Sequence, residues 1–259
     1  MTTAVDIANL TVTFKDRIVI RDLTLVLPSE GITVLIGRSG SGKSTFLRTL
    51  NRLNETLPNS RTSGTVHLLL GGKLVSVYAP GINLSLLRRR VGMLFQTPNV
   101  LPASIRQNIL LPLQLTTDLH VREREDRMRQ ALEDVGLWEN VHGRLEESAM
   151  ALSGGQQQRL CLARMLALEP EIILLDEPTA SLDPATTLDI ENLLRRLSER
   201  YTIIMVSHGL SQARRLGSRI VLFGDSHQYS MLKPEDLPQE DELNILFEGK
   251  FQGTGRGNA

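Results

Sequence analysis

A chain of 259 residues is long enough for one α/β domain with a sizeable insertion. Lys plus Arg and Asp plus Glu each number 29, so the formal net charge is zero and there is no electrostatic case for a nucleic-acid partner. A single cysteine, Cys161, excludes an intramolecular disulfide and fits a reducing compartment. The opening MTTAVDIANL lacks a basic stretch followed by an apolar core, so no signal peptide is expected. No apolar run approaches the roughly 20 residues that span a bilayer, and the chain is expected to be soluble by itself.

The first thirty residues alternate, as LTVTF and IVIRDLTLVL, which predicts a small antiparallel section. Ile32 to Ile36 (ITVLI) reads as a buried strand, and Phe46, Leu47 and Leu50 have helical spacing. Between them lies GRSGSGKST, Gly37 to Thr45, whose first eight residues fit the phosphate-loop pattern G-x-x-x-x-G-K-[ST] in its required strand–loop–helix setting. Glycines 37, 40 and 42 let backbone N–H groups turn inward on a phosphate chain, and the helix starting near Lys43 adds its positive end. Lys43 is a point charge for the β- and γ-phosphates, and Ser44 offers a hydroxyl to Mg²⁺. Gly37, Arg38, Ser39, Gly40, Ser41, Gly42, Lys43, Ser44 and Thr45 are thus the expected nucleotide-binding loop.

SGTVHLLL and KLVSVY predict a second strand pair joined by Gly71-Gly72, and RRRVGMLFQ a further strand ending at Gln96. Residues 97–165 change character. REREDRMRQALEDVGL is charged and helical, which marks a helical insertion between strands. Within it, LSGGQQQRL (152–160) contains a capping box, Ser153 with Gln156, and predicts a helix that packs Leu160, Ala163 and Leu166 inward. Capping alone does not account for Gly154-Gly155, which weaken a helix start but admit a phosphate. Cys161 is expected as a small buried apolar residue.

IILLDEP and TIIMVSH predict two core strands separated by a helix. Asp176 and Glu177 then stand at a strand's C-terminal end, where α/β sheets bind ligands. There an aspartate can hold Mg²⁺ through its water shell, and a glutamate can polarise an attacking water. The intervening helix starts with Asp183 as N-cap and Pro184 at its first position, and Ile190, Leu193, Leu194 and Leu197 form its buried stripe. Strands alternating with helices predict a mostly parallel core sheet. His67, His120, His142 and His227 show no ligand-like spacing.

Over about residues 10–223 the chain resembles the nucleotide-binding subunits of ATP-binding cassette (ABC) transporters. GRSGSGKST, Gln96 in LFQ, LSGGQQQR, IILLDEP, SLD and His208 in VSH occur in that family's order. The resemblance implies an α/β phosphate-loop NTPase with a mostly parallel core sheet, a small antiparallel β subdomain and a helical insertion. It implies head-to-tail dimerisation with a second copy around two ATP molecules, residues 152–156 of one copy (Ser153, Gly154, Gly155 and Gln156 included) capping the γ-phosphate bound by the other. By the same resemblance Ser44 and Asp176 serve Mg²⁺, with Gln96 reaching the metal and the water. Glu177 matches the catalytic base, His208 the γ-phosphate switch, and Asp183 acts across the dimer. Phe14 matches the aromatic that stacks on adenine; a core phenylalanine at a strand end is the alternative.

Within the family the chain is most similar to the ATPase subunit of bacterial phosphate importers. The segments LNRLNETLPNSRTSGTV, LRRRVGMLFQTPNVLPASIRQNI and LSGGQQQRLCLAR carry that likeness, whereas RQNILLPLQL departs from the common pattern. The likeness implies a peripheral subunit on the cytoplasmic face of the membrane, bound to integral permease subunits and never touching the solute, here phosphate or a similar anion. An ABC ATPase of another importer or exporter, or a soluble ABC ATPase outside transport, is the alternative. Residues 1–230 are expected to form the cassette, with the helical insertion at about 97–165, and residues 231–259 a frayed tail.

Overall fold

The computed structural model describes residues 2–180, 182–224 and 227–238. The chain opens with β1 (Thr3–Phe14) and β2 (Arg17–Pro28), an antiparallel pair. Next come β3 (Ile32–Gly37), α1 (Lys43–Leu50), β4 (Ser60–Leu70) and β5 (Lys73–Ser76). A four-stranded sheet in the order β2-β1-β4-β5 results, antiparallel throughout, as the alternating segments predict.

The expected strand RRRVGMLFQ is instead a helix followed by a short strand. Residues Leu84–Arg90 are α2, and only Val91–Leu94 are extended, as β6. The signal for this break is Asn83, whose side chain accepts from the Leu86 amide at 3.0 Å and caps the helix. Three arginines then occupy the last turn, where the helix dipole favours cations. Arg88 also donates to the carbonyls of Asn51 and Arg52.

The helical insertion holds α3 (Ile105–Thr116), α4 (Val121–Asp134), α5 (Trp138–Val141) and α6 (Gly154–Leu166). The core resumes with β7 (Ile172–Asp176), α7 (Pro184–Leu197), β8 (Thr202–Val206), α8 (Leu210–Leu216), β9 (Arg219–Phe223) and β10 (Tyr229–Leu232). A six-stranded sheet has the order β10-β9-β3-β8-β7-β6 and is parallel except where β10 pairs with β9.

This sheet has apolar side chains packed on both faces. One face packs on α1 and the antiparallel sheet, with Phe46 meeting Phe223 edge-to-face at 5.7 Å between centroids. The other packs on α6, α7 and α8, including Leu160, Ala163, Leu166 and the Ile190–Leu193–Leu194–Leu197 stripe, with Cys161 buried among them. Gly37 is held at the join, since a Cβ there would collide with the Phe223 carbonyl.

The expected boundary at residue 230 falls inside β10. Beyond it Leu237 is buried, and Arg214 on α8 donates to the carbonyls of Leu237 and Pro238. Residues through 238 are therefore packed on the core, and the remainder of the expected tail lies outside the described residues. Among the described residues no helix is long and apolar enough to cross a membrane.

Candidate functional site

The sheet order brings three chain segments to one rim. In it β8 lies between β3 and β7, so the residues following Gly37, Asp176 and Val206 emerge side by side at the C-terminal ends of parallel strands. An open cleft of about 280 Å³ lies there, and its lining includes Ser39, Gly40, Lys43, Ser44, Glu177 and His208.

The loop after β3 has the conformation its glycines predict. Gly40 and Gly42 adopt φ of 78° and 102°, where a side chain would be strained, and a Cβ on Gly42 would stand 3.0 Å from the Val19 carbonyl. Lys43 is buried, with Nζ donating to the Gly37 carbonyl at 2.7 Å and the Arg38 carbonyl at 2.8 Å. Burial lowers its pKa, while the Glu177 and Asp176 carboxylates oppose the shift. The ammonium thus lies folded inside the loop, where a phosphate chain would take over from the two carbonyls.

A charge-assisted hydrogen bond of this kind contributes roughly 1.5–3 kcal/mol. Lys43→Ala should therefore weaken nucleoside-triphosphate binding by about 10- to 150-fold in isothermal titration. An unchanged affinity would place the nucleotide elsewhere.

Ser44 Oγ donates to Asp176 Oδ1 at 2.7 Å, and Asp176 is buried. A hydroxyl and a carboxylate converging at the mouth of a phosphate loop are an oxygen donor pair suited to a hard divalent cation such as Mg²⁺. Among the described residues no group of three or more His, Cys, Asp or Glu could hold a metal.

Glu177 sits at φ 50°, a left-handed conformation uncommon for a residue with a side chain. Its Oε1 lies 2.6 Å from His208 Nε2, with the imidazole half exposed and the carboxylate mostly covered. The pair faces Lys43 across the cleft.

Other expected residues are placed differently. Phe14 and Thr45 line the cleft. Arg38 and Ser41 line an adjoining hollow on the outer side of the loop, together with Arg17 and His227. Gln96 is exposed two residues past β6 and is not among the cleft's lining residues. Ser153, Gly154, Gly155 and Gln156 lie at the start of α6 and are not among the cleft's lining residues. There Ser153 Oγ accepts from the Gln156 amide at 3.4 Å and Gln156 Oε1 from the Ser153 amide at 3.2 Å, the expected capping box.

Asp183 is exposed and caps α7, accepting from the amides of Ala185 and Thr186 at 3.0 Å each. Its carboxyl is held below the usual range by the Thr186 hydroxyl and amide. The same Thr186 touches the signature segment, for a Cβ on Gly155 would stand 2.7 Å from Thr186 Cγ2.

Sequence reading passed over two lining residues, Arg17 and Val19. Phe14 and Arg17 are register partners across the first hairpin, and Val19 follows two residues on, so all three share one face. The spacing of the hairpin was the signal that could have found them.

A family model described as ABC transporter matches residues 20–180. The phosphate import ATP-binding protein PstB 2 of Bacillus licheniformis is 39% identical over 249 residues, covering 93% of this chain and 89% of that protein. PstB 2 of Mycobacterium tuberculosis is 46% identical over 217 residues, covering 84% and 77%. Among solved structures, the dimeric bacterial ABC transporter cassette MJ0796 has a TM-score of 0.74 at 30% identity, covering 90% of this chain and 100% of that one. A dimeric post-hydrolysis state of MJ0796 bound to ADP and Pi matches equally well. With the motifs in order, the phosphate loop, Asp176–Glu177 and His208 gathered at one sheet rim and these relatives alongside, the chain belongs to the ABC transporter family.

Proposed function

We propose that this chain is the ATP-hydrolysing subunit of a phosphate importer, working as a dimer of two copies beneath integral permease subunits at the cytoplasmic face of the membrane. The observation that carries the ATPase reading is the convergence of Lys43, the Ser44–Asp176 pair and the Glu177–His208 pair on one cleft. The identity to phosphate import proteins carries the solute.

Each side chain has a task that follows from its place. Phe14 offers a ring face to the base, and residues 37–45 offer backbone amides to the phosphates. Lys43 exchanges its two carbonyl partners for phosphate oxygens. Ser44 and Asp176 would hold Mg²⁺, with Gln96 approaching once the cleft closes; bound there, the metal neutralises charge developing on the phosphates. Glu177 accepts a proton from the attacking water, and His208 holds that carboxylate in place while facing the γ-phosphate. Little covalent work is required, so positioning and electrostatics supply the rate.

Ser153 and Gly154 are exposed and Gly155 and Gln156 half-buried at the start of α6, and none of the four is among the residues lining this copy's cleft, which supports their serving the other copy's ATP. Because Gly155 packs on Thr186, Gly155→Val must push aside the Thr186 side chain, whose hydroxyl donates to Asp183. Turnover should fall by about 10²-fold while one copy's nucleotide affinity is unchanged; equal losses in both would remove the cross-copy role. We assign the permease seat to the groove lined by Arg88, Arg89, Pro112, Arg164 and Met165, a reading supported by the exposed Leu111 and Leu115 on the same helix as Pro112.

Cells lacking this chain should lose uptake of labelled phosphate and regain it with the wild-type chain but not with Glu177→Gln. Restored uptake by the inactive variant, or uptake indifferent to the chain, would reject the assignment.

A further inference from the structure

Behind His208 lies a buried polar cluster that ATP binding and hydrolysis, as described so far, leave without a role. Ser207, at the end of β8, donates through Oγ to Gln212 Oε1 at 2.7 Å and accepts from the Gly209 amide at 3.1 Å. Gln212, on α8, turns its Nε2 to Thr179 Oγ1 at 2.9 Å and to Glu191 Oε1 at 3.1 Å. Glu191, on α7, is 0% exposed, and Arg215 grips it with Nε to Oε2 at 3.0 Å and Nη2 to Oε1 at 2.7 Å.

One side-chain amide therefore ties three segments together. Ser207 immediately precedes His208. Thr179 lies two residues beyond Glu177. Glu191 belongs to the helix whose first turn is capped by Asp183. Burying an amide, a hydroxyl and a carboxylate is costly unless each is bonded, and apolar side chains of similar volume would fill the same space without that cost. One of these bonds also fixes the 207–209 turn: Ser207 Oγ holds the Gly209 amide, so the backbone that carries His208 cannot shift away from Glu177 without straining it.

We propose that Gln212 is a positioning residue that sets His208 against Glu177 and links that pair to α7, so that the α7 N-terminus and the His208 turn move as one. This rests on the ATPase reading above. Gln212 hydrogen-bonds to Ser207, Thr179 and Glu191, none of which is among the residues lining the nucleotide cleft, so its effect should fall on turnover and not on binding.

The test is a double-mutant cycle with Gln212→Leu and His208→Ala in the full-length chain, reading steady-state kcat, KM and MgATP affinity. Gln212→Leu alone should lower kcat by about 10- to 100-fold with KM and affinity within about twofold. In the His208→Ala background, where the residual rate is followed by long incubation, it should cost nothing further. Ser207→Ala, a smaller change, should repeat the pattern and carries the test if Gln212→Leu does not fold. An equal loss in both backgrounds, or a parallel loss of affinity, makes the cluster a structural device and overturns the proposal. A wild-type chain without ATPase activity would instead remove the reading on which it rests.

Discussion

Glu177→Gln should lower steady-state ATP hydrolysis by roughly 10²- to 10⁴-fold, the contribution of a positioned general base. The substitution changes no volume, and an amide at this position can still meet His208 Nε2, now 2.6 Å away from the carboxylate. Lys43, Ser44 and the loop glycines are untouched, so MgATP affinity should stay within a few-fold. With binding intact and turnover stopped, ATP is trapped between copies. Gel filtration with light scattering should then show the variant passing from monomer to dimer when MgATP is added. Phosphate release at the wild-type rate would remove Glu177 from the chemistry. A variant that binds MgATP and stays monomeric would show that closure needs the membrane subunits.

Arg215→Ala should be the most damaging single change away from the cleft. It leaves the fully buried Glu191, among the described residues, with Gln212 as its hydrogen-bond partner and the charge of Arg195 nearby. Breaking a buried pair by removing one member costs about 3–5 kcal/mol. The lower end applies here, because Gln212 still donates and the Arg215 side chain is 44% exposed. For a chain of this size about 3 kcal/mol corresponds to a melting point lower by roughly 6–12 °C.

The pH dependence has a sign. Burial raises the Glu191 pKa, but the Arg215 and Gln212 hydrogen bonds with the nearby arginine charges more than offset it, and the net position is below the ordinary 4.5. A depressed carboxylate adds stability above its unfolded pKa and loses it as pH falls through the folded value. Without Arg215 the burial contribution is opposed far less. The gap in melting point between the two proteins should therefore be widest near neutral pH and narrow below about pH 4.5, as scanning calorimetry can follow. A constant gap would mean that Glu191 is not the charge at stake.

What the sequence disclosed here was local. The phosphate loop, the Asp183–Pro184 helix start, the Ser153–Gln156 box and the leucine stripe of α7 each depend on residues within a turn or two of one another. Arg88 to Arg90 misled because a charged run carries little periodicity, and the deciding residue, Asn83, stands outside it. Arg17 and Val19 reach the cleft only because a hairpin folds back on Phe14. Gln212 and Glu191 are 21 positions apart, on two helices whose meeting is a property of sheet order. Leu237 was hidden by its polar neighbours; it packs into a core built by residues far earlier in the chain, and Arg214, more than twenty residues before it, donates to its carbonyl.

The antiparallel strand β10 has a bearing on how this molecule keeps its own company. It pairs with β9 through Tyr229–Phe223, Ser230–Leu222, Met231–Val221 and Leu232–Ile220, and β9 is apolar and buried from Ile220 to Phe223. Unpaired, β9 would present a row of amides and carbonyls beside its apolar side chains, a template on which other chains can lay their strands. With β10 in place, the sheet's outermost strand is short and partly exposed, and Lys233 follows it directly. A shortened chain ending at residue 230 would keep every residue of the nucleotide cleft and still lose half of this guard, trading a well-behaved protein for one prone to clumping.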